Sequence, residues 1–330
     1  MKLHFIRQLT ASRWWPSSLA AVVFSLLPLA LSAADDRFIG RWALTLPNGG
    51  AGWLGVEQKG DSLAASLLWG GGSVLPVKEV SVAGDTLKVH IASGKTIREI
   101  TATRAGDDLK LTTANLKPDG TPGDSQPFSG RRIADVPPAP DLTKVTFGAP
   151  IKLLAGELDA TWQLVEKDAL NGWSLSDGVL ANRLPEGKHP RLGNLRTRAV
   201  FDDFRLTTEV RTQASSNSGI YLRGIYEIQI ADSFGKPVDP HNMGALYSRI
   251  TPSVAAEKAV GEWQTLAITL MDRHVTVVLN GQTIIDNQPV LGCTGGALTS
   301  DETQPGPIML QGDHTTIDYR NMELSPVVKK

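Results

Sequence analysis

The stretch NSGIYLRGIYEIQIADS, residues 217–233, carries the side chains of this chain best suited to chemistry. Its odd positions hold Tyr221, Arg223, Glu227 and Gln229, and its even positions hold Ile220, Leu222, Tyr226, Ile228 and Ile230. Successive strand residues point to opposite faces, so one face gathers a guanidinium fork, a carboxylate and an amide. A strand face that water merely wets favours Thr, Ser and Lys instead. Just upstream, FRLTTEVR divides in the same way, with Phe204, Leu206 and Val210 against Arg205, Thr207, Glu209 and Arg211. If the two strands share a sheet, a single face collects Glu209, Arg211, Arg223, Glu227 and Gln229. That face either reads a ligand or is a solvent-washed surface laced with Arg–Glu pairs, Glu227 with Arg223 and Glu209 with Arg211.

The elements that must position these residues read as strands almost throughout. From Phe38 to Ile133, short alternating runs (RWALTL, GWLGVEQ, SLAASLLW, LKVHI, TIREITATR, LKLTTANL) are separated by Gly/Asp/Asn turns such as PNGG, KGD and AGDD. That pattern predicts antiparallel hairpins forming a small barrel over residues 35–133. Gly40-Arg41-Trp42 near its start and Gly130-Arg131-Arg132 near its end resemble a lipocalin-like closure, in which an early Trp packs under a late Arg. Residues 134–150 include Pro137, Pro138, Pro140 and Pro150 and predict an extended connector. Residues 151–330 again alternate, with Asp272-Arg273 and Asn280-Gly281 placed as hairpin turns and only SVAAEKAVGEW offering a turn of helix. Many strands without strand–helix alternation predict a two-sheet jelly roll. The expected fold class is therefore all-β, a small antiparallel barrel followed by the jelly roll.

Lys+Arg 33 against Asp+Glu 34 leaves no basic footprint for nucleic acid or an acidic membrane surface. Lys2, Arg7 and Arg13, an apolar run from Leu19 to Leu31 and then Ser32-Ala33-Ala34 have the layout of a secretory leader cleaved after Ala34. As a helix that run is about 20 Å long, short of the roughly 30 Å hydrocarbon core, so the expectation is export to a periplasm or beyond with no membrane span in the mature protein. Cys293 is the single cysteine and is expected to be a small buried or loop residue. There is no HExxH, CxxC pair, GxSxG, Walker loop or GxGxxG, which excludes the zinc-protease, zinc-ribbon, α/β-hydrolase, NTPase and dinucleotide classes.

Several short segments together resemble the 3-keto-disaccharide hydrolase family: FDDF at 201–204 with EVR at 209–211, NSGI at 217–220 with LRG at 222–224, YEIQI at 226–230 with Asp232-Ser233, GALY at 244–247, GEW at 261–263, Asn280-Gly281, GPI at 306–308 with Leu310-Gln311, and Arg320-Asn321. The likeness spans about residues 151–324 and leaves the barrel unassigned. Gln264 after Trp263 and Asp318-Tyr319 before Arg320 depart from the family pattern. The resemblance implies a concanavalin-A-like jelly roll with a groove for sugar, and as substrate a small glycoside already oxidised at C3 by a separate dehydrogenase. A C3 ketone acidifies the C2 hydrogen and lets the C1 oxygen leave by elimination. Such chemistry needs a base at C2, a donor or cation for the enolate and an acid at the leaving oxygen. A non-catalytic glycan-binding module is the competing reading.

On that resemblance Glu227 is the leading acid/base, with His314 in QGDHTT and Glu209 as further catalytic candidates. Arg223 would hold the enolate or orient hydroxyls. Asn217, Gln229 and Gln311 suit sugar hydroxyls, because an amide both donates and accepts. Asp232 and Tyr247 complete the substrate-binding set, Tyr247 by stacking or through its hydroxyl. His189 and His241 lie in loops able to close over a site, His90 and His274 lie on strands, and Trp263 reads as core. A divalent ion on Glu227, Asp232 or His314 is compatible with the chemistry, and the spacing alone does not show one.

Overall fold

The structure, a computed structural model, describes residues 36–184, 191–312, 314 and 316–328. The expected leader, with its cleavage point at Ala34, and His189 lie outside the described residues.

The first sheet is antiparallel and contains β1 (Gly40–Thr45), β2 (Ala51–Lys59), β3 (Ser62–Trp69), β4 (Leu75–Pro76), β5 (Glu79–Ala83), β6 (Thr86–Ser93), β7 (Thr96–Ala105), β8 (Asp108–Asn115) and β9 (Gln126–Arg132). Its order is β4-β3-β2-β1-β9-β8-β7-β6-β5. The two outermost strands are consecutive in the chain, separated only by Val77 and Lys78. So short a link cannot span a sheet, so the edges must meet and the sheet curls into a barrel. Val77 N–H donates to the Ala65 carbonyl (3.0 Å) and Lys78 N–H to the His90 carbonyl (2.8 Å) across the seam. Trp42, Leu44, Leu54, Leu67, Val89, Ile100 and Leu111 fill the interior. The closure read from Gly40-Arg41-Trp42 is present: the Arg132 guanidinium lies 4.3 Å over the Trp42 ring.

The second half contains β10 (Ile151–Lys152), β11 (Trp162–Leu164), β12 (Trp173–Ser176), β13 (Val179–Asn182), β14 (Leu195–Thr197), β15 (Phe204–Thr212), β16 (Asn217–Leu222), β17 (Tyr226–Ala231), β18 (Trp263–Met271), β19 (His274–Leu279), β20 (Gln282–Pro289), β21 (Met309–Leu310) and β22 (Ile317–Pro326). They form two sheets, β12-β13-β22-β15-β18-β19-β20 with β10 beside β22, and β11-β14-β21-β16-β17. Phe204, Leu206, Val210, Ile268 and Val277 of the first meet Ile220, Ile228, Ile230 and Leu310 of the second in one core, the packing of a jelly roll. Asp272 and Arg273 (φ 46° and 57°) and Asn280 and Gly281 (φ 51° and 82°) make the tight hairpin turns that their residue types predict. SVAAEKAVGEW forms no helix; the buried Gln264 side chain instead pins it open, accepting from Lys258 N–H and donating to Lys258 O, both at 2.8 Å. This gives the departure at Gln264 a structural role.

The barrel and jelly roll share contacts. Ala51, Trp53 and Leu68, on the outer face of the barrel, belong to the jelly-roll core cluster. Arg249 stacks 4.4 Å over Trp53, and Ser300 Oγ donates to the Leu44 carbonyl (2.9 Å). Gly72 of the β3–β4 loop and Gly295 meet so closely that a Cβ on Gly295 would overlap the Gly72 backbone. The proline-bearing connector is tied down rather than loose: Arg273 donates to Ala134 O (2.7 Å) and Asn287 to Pro140 O (2.9 Å).

Candidate active site

Strand register places the candidate residues. Glu227 lies opposite Tyr221 and Gln229 opposite Gly219 in the β16–β17 ladder, and opposed residues share a face. On the far side of β17, residues 244–247 run antiparallel to it: Tyr247 N–H donates to Glu227 O (3.0 Å) and Gln229 N–H to Ala245 O (2.9 Å). Leu246 is bridged to the core residue Ile228, so Tyr247 turns to the face of Glu227. On the other flank Tyr221 opposes Met309 and Met309 opposes Arg196, and Gln311 N–H donates to Gly219 O (2.9 Å). One face of the five-stranded sheet therefore carries Arg196, Gln311, Asn217, Glu227, Gln229 and Tyr247, backed by an apolar core on the other face.

Glu227 is the deepest of these, only 3% exposed. Its carboxylate crosses the strand to lie over Gly219, where a Cβ would overlap Oε1, and its backbone N–H donates to Thr294 Oγ1 (2.9 Å). Beside it Gln229 Nε2 donates to Asn217 Oδ1 (3.1 Å). The Oε1 atoms of Gln229 and Gln311 are buried with no partner among the described residues. A buried acceptor left unpaired costs free energy unless a ligand or water donates to it, so these two amides await donors. Under the same face, Ser218 Oγ donates to Gln311 O (2.7 Å) and lies 3.0 Å from Tyr319 Oη. Burial, with a contribution from the nearby Glu227 charge, pushes the Tyr319 phenol well up.

At the Tyr247 end the wall includes a residue from the barrel. His241 packs edge-on against Tyr247 with centroids 5.0 Å apart. Its Nδ1 is 2.6 Å from Asp239 Oδ1 and its Nε2 2.9 Å from Ser73 Oγ. The hydrogen bonds from His241 hold the Asp239 carboxyl below its usual range. An ionised Asp239 accepts, so Nδ1 carries a proton, and in the neutral ring Nε2 accepts from the Ser73 hydroxyl.

Other expected members are placed elsewhere. Glu209 belongs to the larger sheet, not to that of Glu227, and pairs with Arg320 on the outer face. The expected single row therefore does not form. Trp263 is not core either: it lies between the guanidinium groups of Arg211 (4.7 Å) and Arg320 (4.0 Å). Arg223 leaves the row because it and Gly224 turn into the left-handed region (φ 53° and 68°). Its buried guanidinium bonds the Glu302 carbonyl and pairs with Asp202 (3.3 Å), not with Glu227. Asp232 accepts from Ser215 N–H (2.9 Å) and fixes a turn. His314 is exposed in the connection between β21 and β22. The departing Asp318 is buried between Arg211 (2.8 Å) and Arg183. Cys293 is fully buried, and burial pushes its thiol up to about 12. Among the described residues no group of three His, Cys, Asp or Glu could hold a metal ion. A cleft of about 720 Å³ lies apart from this face, between the barrel and residues Ser248–Ile250 and Leu291.

Arg196 and Ser73 are the members that sequence reading did not assign to the site, and for His241 it gives only a loop able to close over one. The strand LRT is too short to show alternation, and His241 gains its place from Ser73, 168 positions away.

Residues 150–325 match the 3-keto-alpha-glucoside-1,2-lyase-like domain, more than half of the 330 residues. The chain belongs to this family. Among solved structures, a candidate glycosyl hydrolase from Parabacteroides distasonis is similar at 28% identity, covering 58% of this chain and 92% of that one with a TM-score of 0.43. A second from the same organism is 23% identical over 54% of this chain and 98% of that one, with a TM-score of 0.42. The Bacillus licheniformis beta-glucanase matches at 11% identity over 56% and 98%, with a TM-score of 0.32. No curated protein matches the chain. Family membership makes this a carbohydrate-active protein.

Proposed function

We propose that this family member is an exported enzyme that cleaves 3-keto-glycosides by removing the C2 proton and expelling the C1 substituent. The observation that carries this is the Glu227 carboxylate, buried over Gly219 beside the amide oxygens of Gln229 and Gln311, which have no partner among the described residues. A carboxylate itself largely shut off from water suits a base, and amide oxygens suit hydroxyls of a sugar. The family description, a 1,2-lyase acting on 3-keto-alpha-glucosides, supports elimination across C1 and C2.

In this reading Glu227 takes the C2 proton and the C–H electron pair passes into an enolate on the C3 oxygen. The enolate re-forms the ketone as the C2=C1 double bond forms and the C1–O bond breaks. Tyr247, packed edge-on against His241, supplies the proton to the departing oxygen, and Arg196 is the cation on the enolate's face. Water adding to C1 of the enone completes a net hydrolysis. A separate dehydrogenase must supply the C3 ketone.

A prepared 3-keto-glucoside with a chromogenic aglycone tests this. Aglycone release with a transient enone absorbance is expected. Binding without release would sink the enzyme reading and leave a glycan-binding module.

A further inference from the structure

The barrel has a polar cup at one end. Inward-facing residues can be followed by register: Arg98 continues the row of Ile100 and Ala102 and opposes Asn115, Thr113 opposes Ile100 and Gln126, and Phe128 opposes Leu111. Toward this end the inward positions change from aliphatic to Arg98, Thr113, Asn115 and Gln126. Beneath them lies an aromatic floor: Trp69 meets Phe128 edge-to-face at 5.4 Å, and the Arg98 guanidinium lies 4.5 Å over the Trp69 ring. The cup encloses about 660 Å³ and is also lined by Asn48 and Asp124.

Two observations mark the cup as built for a ligand. Thr113 lines the cup and is 7% exposed, and its Oγ1 is buried with no partner among the described residues, a polar atom whose burial costs free energy while it stays unpaired. The amides of Asn115 and Gln126 are exposed around it, offering donors and acceptors together. Barrel mouths with an apolar base and a few convergent polar groups are recurrent small-molecule sites.

We infer that the mouth of the barrel is a second saccharide site, in which a sugar ring rests on the Trp69–Arg98 stack and its hydroxyls bond Thr113, Asn115 and Gln126. A saccharide fits because it has an apolar C–H face for an aromatic surface and a rim of hydroxyls, each both donor and acceptor. Trp69 is followed directly by Gly70-Gly71-Gly72-Ser73, the loop that reaches His241, so a sugar chain held here lies one short loop from the Glu227 face.

Calorimetric titration of the full chain with maltotriose and with cellotriose tests the site, with glycerol as a control for unspecific polyol binding. The expected result is saturable binding of a trisaccharide, weakened about tenfold or more by Asn115→Ala with Gln126→Ala, where about 1.4 kcal/mol corresponds to tenfold, and unchanged by Gln229→Leu. Both barrel substitutions are at exposed positions, and a thermal melt confirms folding. Binding that survives the barrel pair but is lost in Gln229→Leu would place the sugar on the Glu227 face and overturn the inference. Absence of saturable binding by either trisaccharide overturns it as well. Neither result depends on whether Glu227 is catalytic.

Discussion

The Glu227 carboxylate occupies the space over Gly219 that any side chain there would fill. Glycine at 219 is thus required by the neighbouring strand's acid rather than by its own backbone. Gly219→Ala should force the carboxylate aside at a cost of about 1–3 kcal/mol, the usual range for overpacking, and should lower kcat more than it raises KM. Activity unchanged from wild type would show that the carboxylate works from another position.

Glu227→Gln keeps the shape and removes the proposed base. Turnover of a 3-keto-glucoside should fall by about 10²–10⁴, the usual contribution of a positioned base, while the melting temperature shifts by a few degrees at most. Loss of folding instead would make Glu227 a structural residue.

Glu209 provides the contrast, because its partner is Arg320 and both are partly open to solvent, at 24% and 37% side-chain exposure. Glu209→Gln should leave kcat/KM within about twofold and cost less than about 1 kcal/mol of stability. Urea unfolding and steady-state kinetics on the same preparation check both.

In the proposed reading Ser73 acts through His241, which packs against Tyr247, rather than on the substrate. Ser73→Ala should lower kcat several-fold, in keeping with one hydrogen bond of about 1 kcal/mol, and Ser73→Thr should restore most of it. A loss of stability without the kinetic effect would leave Ser73 a tether between barrel and jelly roll.

His90 gives the barrel a pH dependence. Its pKa is raised chiefly by the hydrogen bond with Glu99, burial opposes that, and Glu79 adds to the rise. The folded state therefore holds the proton more tightly than the unfolded chain, where the value is 6.5. The stabilisation is complete below that value and is lost as pH climbs through the folded pKa. Urea midpoints should fall between pH 6 and pH 9 by a small amount, since the pairs are partly exposed, and His90→Gln should flatten that difference.

Alternation within a strand was legible because its period is fixed by backbone geometry, and the core positions Phe204, Leu206, Ile228 and Ile230 follow it directly. Which sheet a strand joins is decided by pairing between distant segments. For this reason Glu209 and Glu227 have the same local pattern yet end in different sheets. Arg223 departs from parity because two consecutive positive-φ residues reset the strand's direction. Asn217, Gln229, Gln311 and Tyr247 could be brought to one face from family likeness and parity, whereas Ser73 and Arg196 could not, their places depending on contacts with no local signature.

The joint between Gly72 and Gly295 restricts what mutation can explore. Because a Cβ on Gly295 would overlap the Gly72 backbone, Gly295 tolerates no larger residue while the barrel stays docked, and no compensating change of side chain at position 72 could make room. A substitution at Gly295 would have to be accompanied by movement of the whole loop that presents Ser73 to His241, so the attachment of the barrel and the setting of His241 are inherited together.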